Sequence, residues 1–141
     1  GAKPVTARTA RASARVVMSA ETLTLIRDRR LAKGDVLEVA RLAGIMAAKR
    51  TDELIPLCHQ LPLESVAVDF TFPNDTTLAI ETRVSVQART GVEMEALVAA
   101  SIAALTVYDM CKSVDRNMSV ETVRLEEKEG GRSGHFTRDS S

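Results

Sequence analysis

The sequence has few aromatic residues, and this shortage limits the kinds of core and surface that the chain can build. Phe, Trp and Tyr make up 3% of its 141 residues, and tryptophan is absent. Surfaces that bind single-stranded nucleic acid stack bases on aromatic rings, so the composition disfavours such a surface. Hydrophobic residues nevertheless reach 45%, which excludes a disordered chain. We expect one domain with a core of Val, Leu, Ile, Ala and Met.

The chain also lacks an excess of charge of either sign. Lys and Arg together number 19, as do Asp and Glu. A zero net charge gives no reason to expect binding to nucleic acid or to an anionic membrane. The first residues show no apolar segment typical of a signal peptide, and no apolar run reaches the roughly 20 residues that span a bilayer. We expect a cytoplasmic protein.

Cysteine and histidine are scarce as well. The two cysteines, Cys58 and Cys111, do not form a metal-binding spacing, and the two histidines are His59 and His135. This pattern predicts free thiols and no metal site. The chain contains no nucleophile elbow, dinucleotide fingerprint or Walker motif. No resident cofactor is therefore expected.

The alternation of apolar residues predicts an α+β fold. Strands are expected at residues 15–18, 66–72, 78–86 and 120–128, and helices after Ser19, after Asp35 and over about 90–112. The order strand, two helices, strand, strand, helix, strand corresponds to the split βαβ plan of the ferredoxin-like fold. We expect a four-stranded antiparallel sheet with helices on one face and an extra helix in the first crossover.

Both ends of the chain are expected to lie outside this domain. Residues 1–14 are small, polar and basic, which is typical of a mobile arm. Residues 130–141 begin with two glycines, which indicates a flexible tail. The predicted organisation is therefore an N-terminal arm (1–14), a single ferredoxin-like domain (15–129) and a C-terminal tail (130–141).

The last predicted helix is the longest, and its middle is almost entirely apolar. Thr90 and Glu93 have the spacing of a capping box. Between residues 96 and 107 only Ser101 and Thr106 are polar. A helix that is apolar on nearly every side must be buried on nearly every side. We therefore expect a homo-oligomer that covers it.

Chemically capable side chains occur at both ends of this helix. Asp109 and Lys112 share a helix face, so they could form a surface ion pair or, if partly buried, an acid–base pair. Glu93 could be a capping residue, whereas Glu95 could accept paired N–H bonds from a purine- or pterin-like edge. The 16 residues from Glu93 to Asp109 span about 24 Å along a helix. Either the two ends have separate roles, or two subunits bring opposite ends into one site; we favour the second.

Other candidates lie in loops and at the ends of elements. His59 stands in an apolar loop with two prolines, where it could be structural or could face a ligand. Lys33 precedes a helix start and could be an ordinary turn residue. The basic residues at element ends could together bind a polyphosphate; they are Arg8, Lys33, Lys112, Lys128 and Arg132.

Six segments that carry these residues occur in an order and spacing that resemble a known family. They are Lys33-Gly34-Asp35-Val36, Ala47-Ala48-Lys49-Arg50-Thr51, Leu54-Ile55-Pro56-Leu57-Cys58-His59, Thr90-Gly91-Val92-Glu93-Met94-Glu95-Ala96-Leu97, Tyr108-Asp109-Met110-Cys111-Lys112 and Gly130-Gly131-Arg132-Ser133-Gly134. From about Lys3 to Phe136, the chain resembles the molybdenum cofactor biosynthesis protein C (MoaC) family of cyclic pyranopterin monophosphate synthases.

The resemblance implies a ferredoxin-like lyase. This family converts 3′,8-cyclo-7,8-dihydroguanosine 5′-triphosphate to cyclic pyranopterin monophosphate and releases pyrophosphate. It forms homohexamers, trimers of dimers, with active sites at subunit interfaces, which agrees with the expectation from the long helix. No resident cofactor is implied, and Mg²⁺ could accompany the triphosphate.

The resemblance also implies roles for individual residues. Asp109 matches the catalytic acid/base position, with Lys112 beside it and Lys33 as the other catalytic lysine. The residues that match substrate-binding positions are Leu57, Cys58, His59, Glu93, Met94, Glu95, Arg8 and Lys128. Among them, residues 93–95 are implied at the base end of the ligand, and Arg8 and Lys128 at its phosphates.

The chain departs from the family pattern at two places. Gln60 stands where the family usually has a proline after the Cys-His pair, and the usual N-terminus extends a few residues further upstream. The alternatives to the synthase are an RNA-binding module of the same fold and a catalytically inactive scaffold. The zero net charge and the few aromatics disfavour the first. The presence of every candidate catalytic residue type disfavours the second.

Overall fold

A computed structural model describes residues 4–131 and 134–139 of the chain. Ser19 and Asp35 cap the first two helices, as the sequence predicts: each side-chain oxygen accepts a hydrogen bond at 3.2 Å, from the backbone N–H of Thr22 and of Glu38 respectively. In chain order the elements are β1 (Thr6–Val17), α1 (Ala20–Arg27), α2 (Val36–Ala48), α3 (Thr51–Leu54), β2 (Ser65–Asn74), β3 (Thr77–Ala88), α4 (Glu93–Cys111), β4 (Ser119–Glu129) and β5 (Phe136–Thr137).

The strands form one antiparallel sheet in the order β2-β3-β1-β4-β5. Helix α4 packs across β1, β3 and β4, and α2 packs on α4, so the helices cover one face. The first crossover, from β1 to β2, carries α1, α2 and the single turn α3. The α+β class and the split βαβ plan are therefore confirmed.

Strand β1 corrects the prediction of a mobile N-terminal arm over residues 1–14. The strand begins at Thr6, nine residues earlier than expected, and it pairs along its whole length with β3 and from Thr9 onward with β4. Its core-facing residues Ala10, Ala12 and Ala14 are almost fully buried under α4. Alanine has little intrinsic preference for strands, so the local pattern gives no sign of β structure. The small side chains instead let α4 approach the centre of the sheet closely.

The C-terminal residues correct the predictions of a four-stranded sheet and of a flexible tail from residue 130. Phe136 and Thr137 pair with Lys128 and Glu127 of β4, which makes β5 a fifth, two-residue strand. The backbone N–H of Arg138 also donates to the carbonyl of Glu126 at 2.8 Å. The glycines that suggested flexibility instead reverse the chain after β4, so that the following residues return along its edge.

Helix α4 begins at Glu93, with Val92 as its N-cap residue and no side-chain cap. The predicted capping box of Thr90 and Glu93 is therefore wrong, and the first N–H groups of the helix are left for other partners. By length and composition α4 could cross a membrane, but 56% of its apolar window is buried inside the fold. Its buried side, which includes Ala96, Ala100 and Val107, faces the sheet and α2.

One chain does not cover all of the apolar surface of the helical layer. Leu105 on α4 is 53% exposed, and Leu42 and Met46 on α2 are 58% and 44% exposed. Leu54 at the end of α3 is also exposed, and with Ile102 and Met46 it lines a shallow apolar groove. Burial of these side chains against another molecule would remove apolar area from water.

Candidate active site

The three predicted catalytic residues lie together at the C-terminal end of α4. Lys112 Nζ is 2.9 Å from Asp109 Oδ1, across one turn of the helix. Lys33, in the loop between α1 and α2, donates from Nζ to the backbone carbonyl of Asp109 at 3.5 Å. We call Lys33, Asp109 and Lys112 the Asp109 cluster.

The protonation of the Asp109 cluster is set by its own members. The hydrogen bond from Lys112, together with its charge, lowers the pKa of Asp109, and the same contact raises the pKa of Lys112. At neutral pH the carboxylate is thus ionised and the ammonium is protonated. Both side chains are exposed in a single chain, 66% for Asp109 and 48% for Lys112, so within one chain they form the exposed ion pair of the first alternative.

A second group of residues lines a cavity of about 330 Å³ near the start of α4. The side chains that line this cavity come from β1, the loop after α3, the start of α4 and the end of β4. We call it the Arg8 cavity. All eight residues predicted to bind substrate line it: Arg8, Leu57, Cys58, His59, Glu93, Met94, Glu95 and Lys128.

Two positively charged side chains face the Arg8 cavity, and they differ in how firmly the protein holds them. Arg8 is 5% exposed and donates from Nε to the Ala88 carbonyl at 2.8 Å and from Nη2 to the Arg89 carbonyl at 3.0 Å. Lys128 is less enclosed, and its Nζ lies 3.4 Å from Glu93 Oε1. Arg8 is therefore held by backbone groups, whereas Lys128 can move from its carboxylate partner to an incoming anion.

Glu95 is the most enclosed carboxylate of the Arg8 cavity. It is 5% exposed, and burial raises its pKa, with the charge of Asp52 acting in the same direction. A buried carboxylate gains most from donors that a ligand brings with it. Glu95 is accordingly suited to accept N–H groups of a bound heterocycle.

The loop after α3 presents three of the predicted residues to the cavity from the opposite side. Leu57 has a φ of +69°, an uncommon conformation for a residue with a side chain, and it is 98% exposed. The backbone N–H of Cys58 donates to the Ile55 carbonyl at 3.3 Å, which closes the turn. The turn places Leu57, Cys58 and His59 at the cavity wall, with Leu57 at the solvent-exposed rim.

Sequence reasoning missed three residues that line the Arg8 cavity, namely Leu61, Thr90 and Gly91. Gly91 lies directly under Lys128, since a Cβ at this position would be 3.3 Å from Lys128 Cε. From the sequence, Thr90 is expected to have a capping role with Glu93 and Gly91 has no expected role, although the absence of a side chain at Gly91 makes room for the lysine. Arg132, a further predicted phosphate-binding residue, lies outside the described residues.

The structure does not bring the two groups together within one chain. No member of the Asp109 cluster lines the Arg8 cavity. Glu93 and Asp109 lie at opposite ends of α4, about 24 Å apart at 1.5 Å per residue. A small ligand in the cavity cannot reach the Asp109 cluster of the same chain.

A larger cavity, of about 430 Å³, lies on the outer face of the sheet, away from both groups. Several of its polar side chains pair with one another: Arg11 is 3.4 Å from Glu81, and Ser13 donates to Glu126 at 2.9 Å. A sheet face with these internal partners offers little positive charge to a nucleic-acid backbone. The RNA-binding alternative gains no support from it.

No group of three or more His, Cys, Asp or Glu side chains within residues 4–131 and 134–139 is arranged to hold a metal ion. Of the carboxylates at the cavity, Glu93 is paired with Lys128.

The two cysteines are expected to differ in reactivity. Cys111 is fully buried, and burial raises its pKa to about 11, so few of its thiols ionise. Cys58 is partly exposed at the Arg8 cavity. Treatment of the native protein with iodoacetamide at about pH 8 should therefore add about one label per chain, at Cys58.

Mass spectrometry of the labelled peptides measures this difference. The Cys58→Ser variant is the control and should remain unlabelled until it is denatured. Rapid native labelling of Cys111 would contradict the packing of α4 against the sheet.

The chain is similar in sequence to proteins of one family. The profile of the MoaC family matches residues 1–131. A cyclic pyranopterin monophosphate synthase of Thermomicrobium roseum is 62% identical over 138 residues, which cover 97% of this chain and 83% of that protein. The synthase of Chloroflexus aurantiacus is also 62% identical, over 98% of this chain and 85% of its own length. That of Heliobacterium modesticaldum is 58% identical over 95% and 85%. The chain therefore belongs to the MoaC family.

Proposed function

We propose that the protein is a cyclic pyranopterin monophosphate synthase of molybdenum cofactor biosynthesis. It would convert 3′,8-cyclo-7,8-dihydroguanosine 5′-triphosphate to cyclic pyranopterin monophosphate and release pyrophosphate, a lyase-type rearrangement. The observation that carries this proposal is the convergence on one cavity of eight residues from four separate parts of the chain. The names of the relatives that it resembles support the same activity.

The Arg8 cavity fits a ligand that is anionic at one end and rich in N–H groups at the other. Arg8 and Lys128 supply positive charge for phosphoryl oxygens, which stabilises the charge that develops when pyrophosphate leaves. Glu95 accepts N–H groups from the guanidine-like edge of the base. Glu93 pairs with Lys128 in the free protein. When the phosphates of the ligand bind Lys128 in its place, Glu93 becomes free to contact the ligand.

The Asp109 cluster supplies the proton transfers. Ring opening, pterin closure and formation of the cyclic phosphate all move protons, for which an ionised carboxylate and a protonated lysine are a matched acceptor and donor. Enclosure of Lys112 by a second subunit would lower its pKa by desolvation and make it a better proton shuttle.

We further propose that the active unit is a homohexamer, a trimer of dimers, whose sites take the Arg8 cavity from one subunit and the Asp109 cluster from another. The separation of the two groups along α4 supports sites shared in this way. The exposed Leu42, Met46 and Leu105 are candidates for the contacts between subunits. The protein is expected to act in the cytoplasm without a resident cofactor, and any Mg²⁺ would enter with the triphosphate as part of the substrate.

Incubation with the cyclised dihydro-GTP tests this function. The purified protein is expected to release one equivalent of pyrophosphate for each cyclic pyranopterin monophosphate formed. An enzyme-coupled assay measures the pyrophosphate, and mass spectrometry measures the cyclic phosphate. GTP, which lacks the 3′,8 bond, is the control and should not be turned over. A folded protein that binds the substrate but forms no cyclic phosphate would overturn the proposal.

A further inference from the structure

The guanidinium of Arg8 has one nitrogen that the surrounding backbone does not use. Nε and Nη2 are taken by the carbonyls of Ala88 and Arg89, at the end of β3. Nη1 makes no hydrogen bond to the described residues, and no described carboxylate forms an ion pair with Arg8. The charge of this almost fully buried side chain is therefore available to an anion in the cavity.

The turn after β4 lies against the Nη1 side of this guanidinium. Gly131 has a φ of +75°, in the left-handed region that favours glycine. A Cβ on Gly131 would overlap Nη1 and lie 2.7 Å from Cζ of Arg8. The neighbouring Gly130 is different, because a Cβ there would overlap the backbone carbonyl of Ala7. Gly130 thus allows the turn to pack against the backbone of β1, whereas Gly131 leaves room for the side chain of Arg8.

We propose that Gly131 is a positioning residue for phosphate binding. Because it lacks a Cβ, the turn closes on Arg8 and confines the guanidinium to a place where Nη1 meets a phosphoryl oxygen. This inference rests on the proposed function only in assigning Arg8 to the phosphate end of the ligand. Any side chain at position 131 would displace the guanidinium, which is the movable partner in the overlap.

Gly131→Ala is expected to weaken the binding of inorganic pyrophosphate by about tenfold or more, since hydrogen bonds between charged groups are among the stronger polar contacts. Gly134→Ala is a matched control. Gly134 has a φ of +71°, but a Cβ there would meet no atom of the described part of the chain within 4 Å. It therefore reproduces the backbone strain without the overlap and should keep wild-type affinity. Isothermal titration calorimetry of the whole chain measures both.

A double-mutant cycle separates positioning from a general structural effect. In an Arg8→Ala background, Gly131→Ala should cause no further loss of pyrophosphate affinity, because the displaced group is already absent. If Gly131→Ala alone does not fold, the double variant should fold, since the overlap is gone.

Four outcomes would overturn the inference. They are the absence of pyrophosphate binding by the wild type, wild-type affinity in Gly131→Ala, an equal further loss of affinity in the Arg8→Ala background, and failure of both the single and the double variant to fold. A wild type that binds pyrophosphate but does not convert the cyclised nucleotide would contradict the proposed function instead, and the cycle would still decide the role of Gly131.

Discussion

Replacement of Asp109 by Asn is expected to lower kcat by about 10²–10⁴-fold while the chain keeps its fold. The amide has nearly the shape of the carboxylate but cannot accept and return a proton. Asp109 Oδ1 is 2.9 Å from Lys112 Nζ, and this contact lowers the pKa of Asp109, so the group is ionised and able to accept a proton at neutral pH. Steady-state release of pyrophosphate from the cyclised nucleotide measures the change.

The stability of the Asp109→Asn variant should be close to that of the wild type. Its carboxylate is 66% exposed, and exposed ion pairs contribute little to the free energy of unfolding. Asp75→Asn, which removes an exposed carboxylate from the turn between β2 and β3, is a suitable control and should retain full activity. An Asp109→Asn protein with normal thermal unfolding and a kcat within about twofold of wild type would be incompatible with acid–base catalysis at this position.

Two inactive variants are expected to restore activity to each other when they are produced in the same cell. Asp109→Asn disables the Asp109 cluster, and Lys128→Glu places negative charge where the Arg8 cavity would bind phosphates. If each site combines the cavity of one subunit with the cluster of another, some sites in mixed oligomers carry neither change. Random assembly of a symmetric oligomer predicts recovery of about a quarter of the wild-type activity.

The physical reason for this complementation is the length of α4. The cavity and the cluster lie at its opposite ends, and the helix between them is packed against the sheet and α2, so it cannot bend to join them. Each variant produced alone provides the baseline, and a chain that carries both changes should stay inactive by itself. Mixed oligomers whose activity does not exceed the sum of the two baselines would place the whole site within one subunit.

The fold class and the chemistry at the two ends of α4 could be predicted from the amino-acid sequence. Alternation of apolar residues in β2 and β3 reports a half-buried strand directly, because successive side chains of a strand point to opposite faces. The contact between Asp109 and Lys112 needs only the helical period, since residues three apart share a face. Both properties are local, so a short window of sequence is sufficient to predict them.

The start of β1, the pairing of β5 and the set of residues that share the Arg8 cavity depend on tertiary packing and could not be predicted. The alanines of β1 carry little strand preference of their own, and the hydrogen bonds that β3 and β4 supply from both sides make that segment a strand. Arg8 and Lys128 are 120 residues apart in the chain and meet because β1 and β4 are neighbours, with Ala10 opposite Lys128. Gly131 indicates flexibility when it is considered alone, yet its lack of a Cβ is what admits the guanidinium of Arg8. Pairing of strands that are distant in sequence depends on packing across the whole domain, and local patterns carry no record of it.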